Sequence, residues 1–67
     1  MTFRVVTKYQ SQYTKEVEYK TEYTPNCYAA MGAFKVYIED PDCVLCVVDK
    51  VDDMNKRVKL MAMYDRE

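Results

Sequence analysis

Alternating apolar and polar side chains indicate two strands in the first third of the chain. Residues 2–9 are rich in β-branched and aromatic types, which favours a strand. After a polar break at residues 10–12, residues 13–23 alternate with period two, the pattern of a strand with one buried face. The two segments predict an antiparallel hairpin. The tyrosines and valine predicted to face the core are Tyr9, Tyr13, Val17, Tyr19 and Tyr23.

The middle of the chain has the pattern of one helix. Thr24-Pro25 is typical of a helix start, with a hydroxyl N-cap and a proline at the first helical position. Four apolar residues then recur at helical spacing, namely Cys27, Met31, Phe34 and Ile38, and form one stripe. Asp40-Pro41 ends the helix, because proline cannot continue it.

Two more strands are predicted after the helix. Residues 43–51 are apolar at both parities through Val48, which suits a central strand. Residues 52–56 form a turn, and residues 57–64 alternate again. The order ββαββ predicts an α+β fold in which one helix packs on one face of a four-stranded, mostly antiparallel sheet. We predict a single domain over residues 1–67, and the strand order stays open between 1-2-3-4 and a shuffled version.

One helix can cover only one face of such a sheet. The other face is predicted to carry the charged positions of the second strand together with Arg4, Val6, Lys8, Val44, Cys46, Val48, Met61 and Met63. This is more apolar surface than a small monomer usually exposes, so the face is a candidate homodimer interface or partner-binding patch. Tyr28 and Tyr37 flank the helix stripe and are further candidates, because tyrosine is enriched at interfaces.

Composition disfavours catalysis. The chain has 67 residues, no histidine and one glycine, so it lacks the commonest general base and any glycine-rich loop for phosphate. A chain this short has little core to give up for a substrate cleft. We predict no catalytic residues, no cofactor and no metal site. The aspartates at positions 40, 42, 49, 52 and 53 are interpreted as turn residues in solvent.

The three cysteines predict free thiols in a reducing compartment, the cytoplasm. Cys43 and Cys46 form a C-x-x-C in a predicted strand, where positions i and i+3 point to opposite faces. A zinc knuckle needs both thiolates on one turn. Buried, structural cysteines are therefore the interpretation.

Charge adds little. Ten basic and eleven acidic residues give a net charge of −1, whereas nucleic-acid binding favours a basic surface. Glutamates in the first hairpin, Glu16, Glu18 and Glu22, would repel phosphate. No apolar run approaches the ~20 residues that cross a membrane.

The strand, strand, Thr-Pro-capped helix, strand, strand order resembles small accessory proteins that bacteriophages make to disable host systems. Compact sheet-plus-helix members occur among anti-CRISPR proteins, and the T-even phage antitoxin is similar in its strand-strand-helix-strand order. The resemblance covers the whole chain as topology and carries over no residue roles. It implies stoichiometric inhibition of a host protein by surface occlusion. A homodimeric interaction module or assembly subunit is the alternative, followed by a nucleic-acid-binding sheet.

Overall fold

Four antiparallel strands form one sheet in the order β2-β1-β3-β4, and one helix packs across it. The computed structural model describes residues 1–66. Its elements are β1 Thr2–Gln10, β2 Val17–Thr24, α1 Cys27–Tyr37, β3 Cys43–Val51 and β4 Arg57–Asp65. The α+β, ββαββ prediction is confirmed. The predicted hairpin of β1 and β2 is also confirmed, and α1 carries the chain from the β2 edge back over β1 to β3.

The helix begins two residues later than predicted. Asn26, not Thr24, is the N-cap, and its Oδ1 accepts hydrogen bonds from the backbone N–H of Tyr28 at 2.8 Å and of Ala29 at 3.3 Å. Thr24 instead ends β2 opposite Phe3. The helix ends at Tyr37 with Ile38 as its C-cap, before the predicted end at Asp40-Pro41. There the N–H groups of Glu39 and Asp40 bond to carbonyl oxygens three residues back, so the helical pattern does not continue.

The core lies between α1 and the central strands. Its buried residues are Val5, Ala30, Cys43, Cys46 and Val48, and the partly buried residues packed on them include Phe3, Met31, Phe34 and Ile38. Three of the four residues of the predicted helix stripe therefore do face the sheet. The fully buried side chains are small, so the larger side chains around them supply much of the apolar contact.

The predicted facing of β2 is wrong. Val17, Tyr19 and Tyr23 are all exposed, and Tyr13 lies in the β1–β2 loop and is also exposed. Residues directly opposite on paired strands share a face, and Glu22 pairs with core residue Val5. The charged residues of β2 therefore lie on the helix side. They can do so because β2 is an edge strand, where charged side chains reach water.

Two predictions for β3 are also wrong. Cys46 and Val48 lie in the core rather than on the uncovered face. Cys43 and Cys46 share the core instead of pointing to opposite faces. Cys46 and Val48 face the core because they pair in regular register with the buried residues Thr7 and Val5. Cys43 joins them because of an irregularity in the pairing with β1, where Lys8 is opposite Leu45 but Tyr9 is opposite Cys43. The skipped residue reverses the alternation.

A similar irregularity redirects β4. Ala62 pairs with Val48 but Leu60 pairs with Asp49, so Met61 has no direct partner and packs against the core. Met61 was predicted on the uncovered face, and that prediction is wrong. Met63 does lie there, opposite Val47. Such bulges bend an edge strand and make further strand pairing harder.

Among residues 1–66, no helix is long and apolar enough to cross a membrane; α1 itself has 11 residues.

Candidate interaction face

The sheet face opposite α1, here called the uncovered face, is built from three rows that cross the four strands. The rows follow from strand register, because directly opposite residues share a face. From β2 to β4, the Arg4 row is Tyr23, Arg4, Asp49 and Leu60; the Val6 row is Thr21, Val6, Val47 and Met63; the Lys8 row is Tyr19, Lys8, Leu45 and Asp65. The predicted candidates Arg4, Val6, Lys8 and Met63 are thus brought together on one face.

An ion-pair cluster around Asp49 lies in the middle of the Arg4 row. Arg4 donates from Nε to Oδ1 of Asp49 at 3.1 Å and from Nη2 to Oδ2 at 2.8 Å. Arg57 donates from Nε to the same Oδ2 at 3.0 Å. The Asp49 side chain is only 2% exposed, against 23% for Arg4 and 52% for Arg57. One buried carboxylate between two guanidiniums leaves the cluster with a net positive charge.

The β3–β4 turn supports this cluster from the side. Asp52 Oδ1 accepts hydrogen bonds from the backbone N–H of Met54 and of Lys56, both at 2.9 Å. Asn55 adopts a left-handed conformation at φ 60°, which asparagine tolerates better than most residues. Its carbonyl oxygen accepts a hydrogen bond from Arg4 Nη1 at 3.1 Å. The turn therefore helps to fix the Arg4 guanidinium.

The charge state of Asp49 follows from two opposing effects. Burial favours the protonated acid, but hydrogen bonds from Arg4 and Arg57 favour the carboxylate and prevail, so the pKa of Asp49 lies below its usual value. At neutral pH Asp49 is a carboxylate whose oxygens accept bonds from arginine. The prediction of a solvated turn aspartate is wrong at this position, because Asp49 lies within β3.

Apolar side chains dominate the part of the uncovered face that meets water. Tyr19 is 64% exposed, Tyr23 52% and Met63 56%, and Leu60 is also exposed. Val6, Leu45 and Val47 are half-buried between them. Tyrosine, methionine and arginine are the residue types enriched at protein interfaces. The face thus combines apolar area with a hydrogen-bonded charge cluster whose carboxylate is buried.

The two helix tyrosines proposed as contacts behave differently. Tyr28 is exposed on α1, away from the uncovered face. The Tyr37 hydroxyl donates to Glu22 Oε2 at 2.6 Å and accepts from Lys20 Nζ at 3.3 Å. The hydrogen bond with Glu22 and burial raise the pKa of Tyr37, while the same bond lowers the pKa of Glu22. Tyr37 therefore fastens α1 to β2.

The thiols of the core offer little reactivity. Cys43 and Cys46 are fully buried, as predicted for structural cysteines. Burial raises the pKa of both thiols, although a hydrogen bond with Thr7, 3.6 Å away, partly opposes it at Cys46. A thiolate is the reactive form of cysteine, so these two positions are poorly suited to nucleophilic or redox work.

Two concave regions lie away from the uncovered face's centre. A groove of about 430 Å³ runs between β2 and α1 past Ala29, Ala33 and Glu22. A second, of about 330 Å³, is lined by Ser11, Glu16, Glu18 and Asp42 among others. In the second groove Ser11 Oγ already accepts from the N–H of Tyr13 and Thr14. Within residues 1–66, no group of three or more His, Cys, Asp or Glu is placed to hold a metal ion.

The chain matches no family model, no curated protein and no solved structure.

Proposed function

We propose that this chain is a non-enzymatic protein-binding domain that acts through its uncovered face. The observation that carries the proposal is the exposed apolar area of that face, formed by Tyr19, Tyr23, Leu60 and Met63 around the buried Asp49 cluster. Contiguous apolar surface with anchored aromatic and arginine side chains is the usual anatomy of a protein interface.

The groups that could do chemistry support a non-enzymatic role. The two core thiols have raised pKa values through burial, and the Asp49 carboxylate is held between two arginines. A general acid or base needs a pKa near the working pH and contact with substrate. Asp49 has a lowered pKa and is buried, so it fits a structural role better.

The proposal is tested by affinity capture from cell lysate with three matched baits. The wild type is compared with Met63→Glu, which places a charge in the Val6 row, and with Val36→Glu, which places the same charge on the exposed side of α1. Both sites are more than half exposed, so both variants should fold. A protein retained by wild type and V36E but lost with M63E supports the proposal. Identical captures by all three baits, together with a wild type that is monomeric in solution, would contradict it.

The finer function stays a prediction. The prediction that this chain is a bacteriophage-encoded inhibitor, which occludes a host protein in the cytoplasm, rests on the topological resemblance. The identity of a partner whose capture depends on the uncovered face would test it. Capture of a component of a host defence or regulatory system would support inhibition. Capture of a metabolic or structural assembly would instead favour the assembly-subunit alternative.

A nucleic-acid-binding sheet is a second candidate, and one observation favours it. Glu18 and Glu22, which argued against it in the sequence, lie on the helix side of β2, while exposed Tyr19 and Tyr23 share the uncovered face with Arg4 and Lys8. Tyrosines beside basic residues on a sheet can stack bases. Fluorescence anisotropy with single-stranded oligonucleotides at low salt tests this candidate. Binding that weakens with salt, and is lost in Tyr19→Ala but kept in Tyr28→Ala, would support it.

A further inference from the structure

We infer that the partner of the uncovered face is a second copy of this chain, packed face to face with its two-fold axis parallel to the strands. The inference rests on the proposed function and names the occupant of the same face. A face-to-face dimer with this axis places β1 of one copy over β3 of the other, and β2 over β4. Each row then lies over the same row of its partner.

Charge complementarity selects this axis. With the axis parallel to the strands, Arg4 lies over Asp49 of the partner subunit, and Val6 lies over Val47 of the partner subunit. With the axis across the strands, Arg4 would instead lie over Lys8 of the partner subunit, a like-charge contact that costs free energy. The register of the four strands therefore makes the face self-complementary in only one of the two orientations that align the strands.

The size of the face is that of a small dimer interface. Its four strands have eight or nine residues each, and at the usual rise and strand spacing they cover about 30 Å along the strands and about 19 Å across them, a flat area of about 570 Å². The accessible surface of side chains on that area is larger than its flat area, and a standard interface takes roughly 800 Å² of accessible surface from each partner. Aligned sheets pack about 10 Å apart. At that spacing the exposed Met63 and tyrosine side chains reach the opposite sheet.

Desolvation of the Arg4–Asp49 pair adds little cost to this packing. Burying an unpaired charge is costly, but the Asp49 side chain is already 2% exposed and Arg4 is 23% exposed within one copy. Their desolvation is therefore largely complete before association. Dimerisation would newly remove from water the apolar part of the face, the half-exposed Arg57 at one end of the sheet, and the charged residues Lys8 and Asp65 of the Lys8 row.

Sedimentation velocity over a range of protein concentrations tests the inference, with M63E and V36E as the matched pair. The wild type and V36E are expected at twice the chain mass of 8.0 kDa, and M63E at the chain mass. Circular dichroism checks that M63E keeps its fold. A wild type that stays monomeric at all concentrations, or a dimer unaffected by M63E, would overturn the inference.

Crosslinking tests the axis. In a Cys27→Ser background, Thr21→Cys and Met63→Cys are introduced in separate chains, and a thiol-specific crosslinker with a span of about 10 Å bridges the spacing of packed sheets. The parallel axis predicts crosslinks between T21C and M63C chains when the two are mixed. Crosslinks of T21C to T21C and of M63C to M63C, without crosslinks between T21C and M63C, would indicate the other axis and contradict the inference.

The two proposals fail in distinguishable ways. If the wild type is monomeric while M63E still loses a captured protein that V36E keeps, the uncovered face binds a different protein and only the second-copy inference is wrong. If the wild type is monomeric and no capture depends on M63E, the protein-binding proposal fails as well.

Discussion

Arg4 and Asp49 lie directly opposite each other on neighbouring central strands and form a two-point ion pair, with donor–acceptor distances of 3.1 and 2.8 Å. The pair lies on the sheet face that the helix leaves open, yet Asp49 is as buried as the core. Paired hydrogen bonds from one guanidinium to one carboxylate fix geometry as well as charge. We therefore expect this pair to hold the register of β1 against β3.

Replacing Asp49 by asparagine should destabilise the fold strongly. The amide keeps the shape of the side chain but removes the negative charge between Arg4 and Arg57. Removing one partner of a buried ion pair costs about 3–5 kcal/mol. Because solvent screens the partly exposed arginines, we expect a smaller loss of about 2–4 kcal/mol. Urea denaturation at a fixed protein concentration measures the free energy of unfolding.

Asp53→Asn is the matched control. Asp53 is an exposed residue of the β3–β4 turn, and surface substitutions usually change stability by less than about 0.5 kcal/mol. Equal losses for D49N and D53N would show that the Asp49 cluster contributes nothing beyond removal of a surface charge.

Stability should fall in acid, and Asp49 should carry part of the fall. The folded-state pKa values of Asp49 and Glu22 lie below their ordinary values of 3.8 and 4.5. Both carboxylates therefore stabilise the fold at pH values above those ordinary values, and the stabilisation is lost as pH falls through the folded-state pKa values. Urea denaturation of wild type and D49N between neutral pH and pH 3 measures this. We expect a flatter pH dependence in D49N, with the Glu22 part remaining; parallel curves would be the contrary result.

Much of the fold is predictable from the sequence because its signals are local. Period-two alternation over residues 13–23 and the helical spacing of Met31, Phe34 and Ile38 are set by backbone geometry within one element. These signals predict the four strands, the helix and the ββαββ order. They do not predict that β1 pairs with both β2 and β3, because strand order depends on contacts between distant segments.

The uncovered face is less predictable for the same reason. Arg4, Val6, Lys8 and Met63 follow from alternation within their own strands. Met61 was misplaced because a bulge reverses the alternation of β4, and Cys46 was misplaced because residues 43–48 are apolar at both parities, so that their pattern does not choose a face. Asp49 was predicted to be a solvated turn residue, which is wrong. A lone acid inside an apolar strand is the signal that could have shown this, since a buried carboxylate needs a partner. The sequence could not name that partner, because only the strand register shows that Arg4 and Arg57 lie beside Asp49.

The helix cap is a second place where stability should depend on one side chain. Asn26→Ala removes the acceptor for the N–H groups of Tyr28 and Ala29, and loss of an N-cap costs about 1 kcal/mol. Asn26→Asp should keep most of that stability, because a carboxylate also accepts these bonds. Thr24→Ala is the comparison, since the Thr24 hydroxyl accepts from the N–H of Asn26, which precedes the helix. Thermal denaturation that shows a larger loss for T24A than for N26A would place the cap at Thr24 instead.

Thiol labelling should separate the three cysteines. Cys43 and Cys46 are fully buried, with pKa values raised by burial, whereas Cys27 at the start of α1 is partly accessible. Iodoacetamide should therefore give one adduct, on Cys27, in native protein and three in urea, as read by mass spectrometry. Cys27→Ser should give none under native conditions.

Because the core thiols react only when the fold opens, D49N should speed their labelling while D53N leaves it unchanged. Rapid labelling of Cys43 or Cys46 in the native wild type would show that the core is open to solvent.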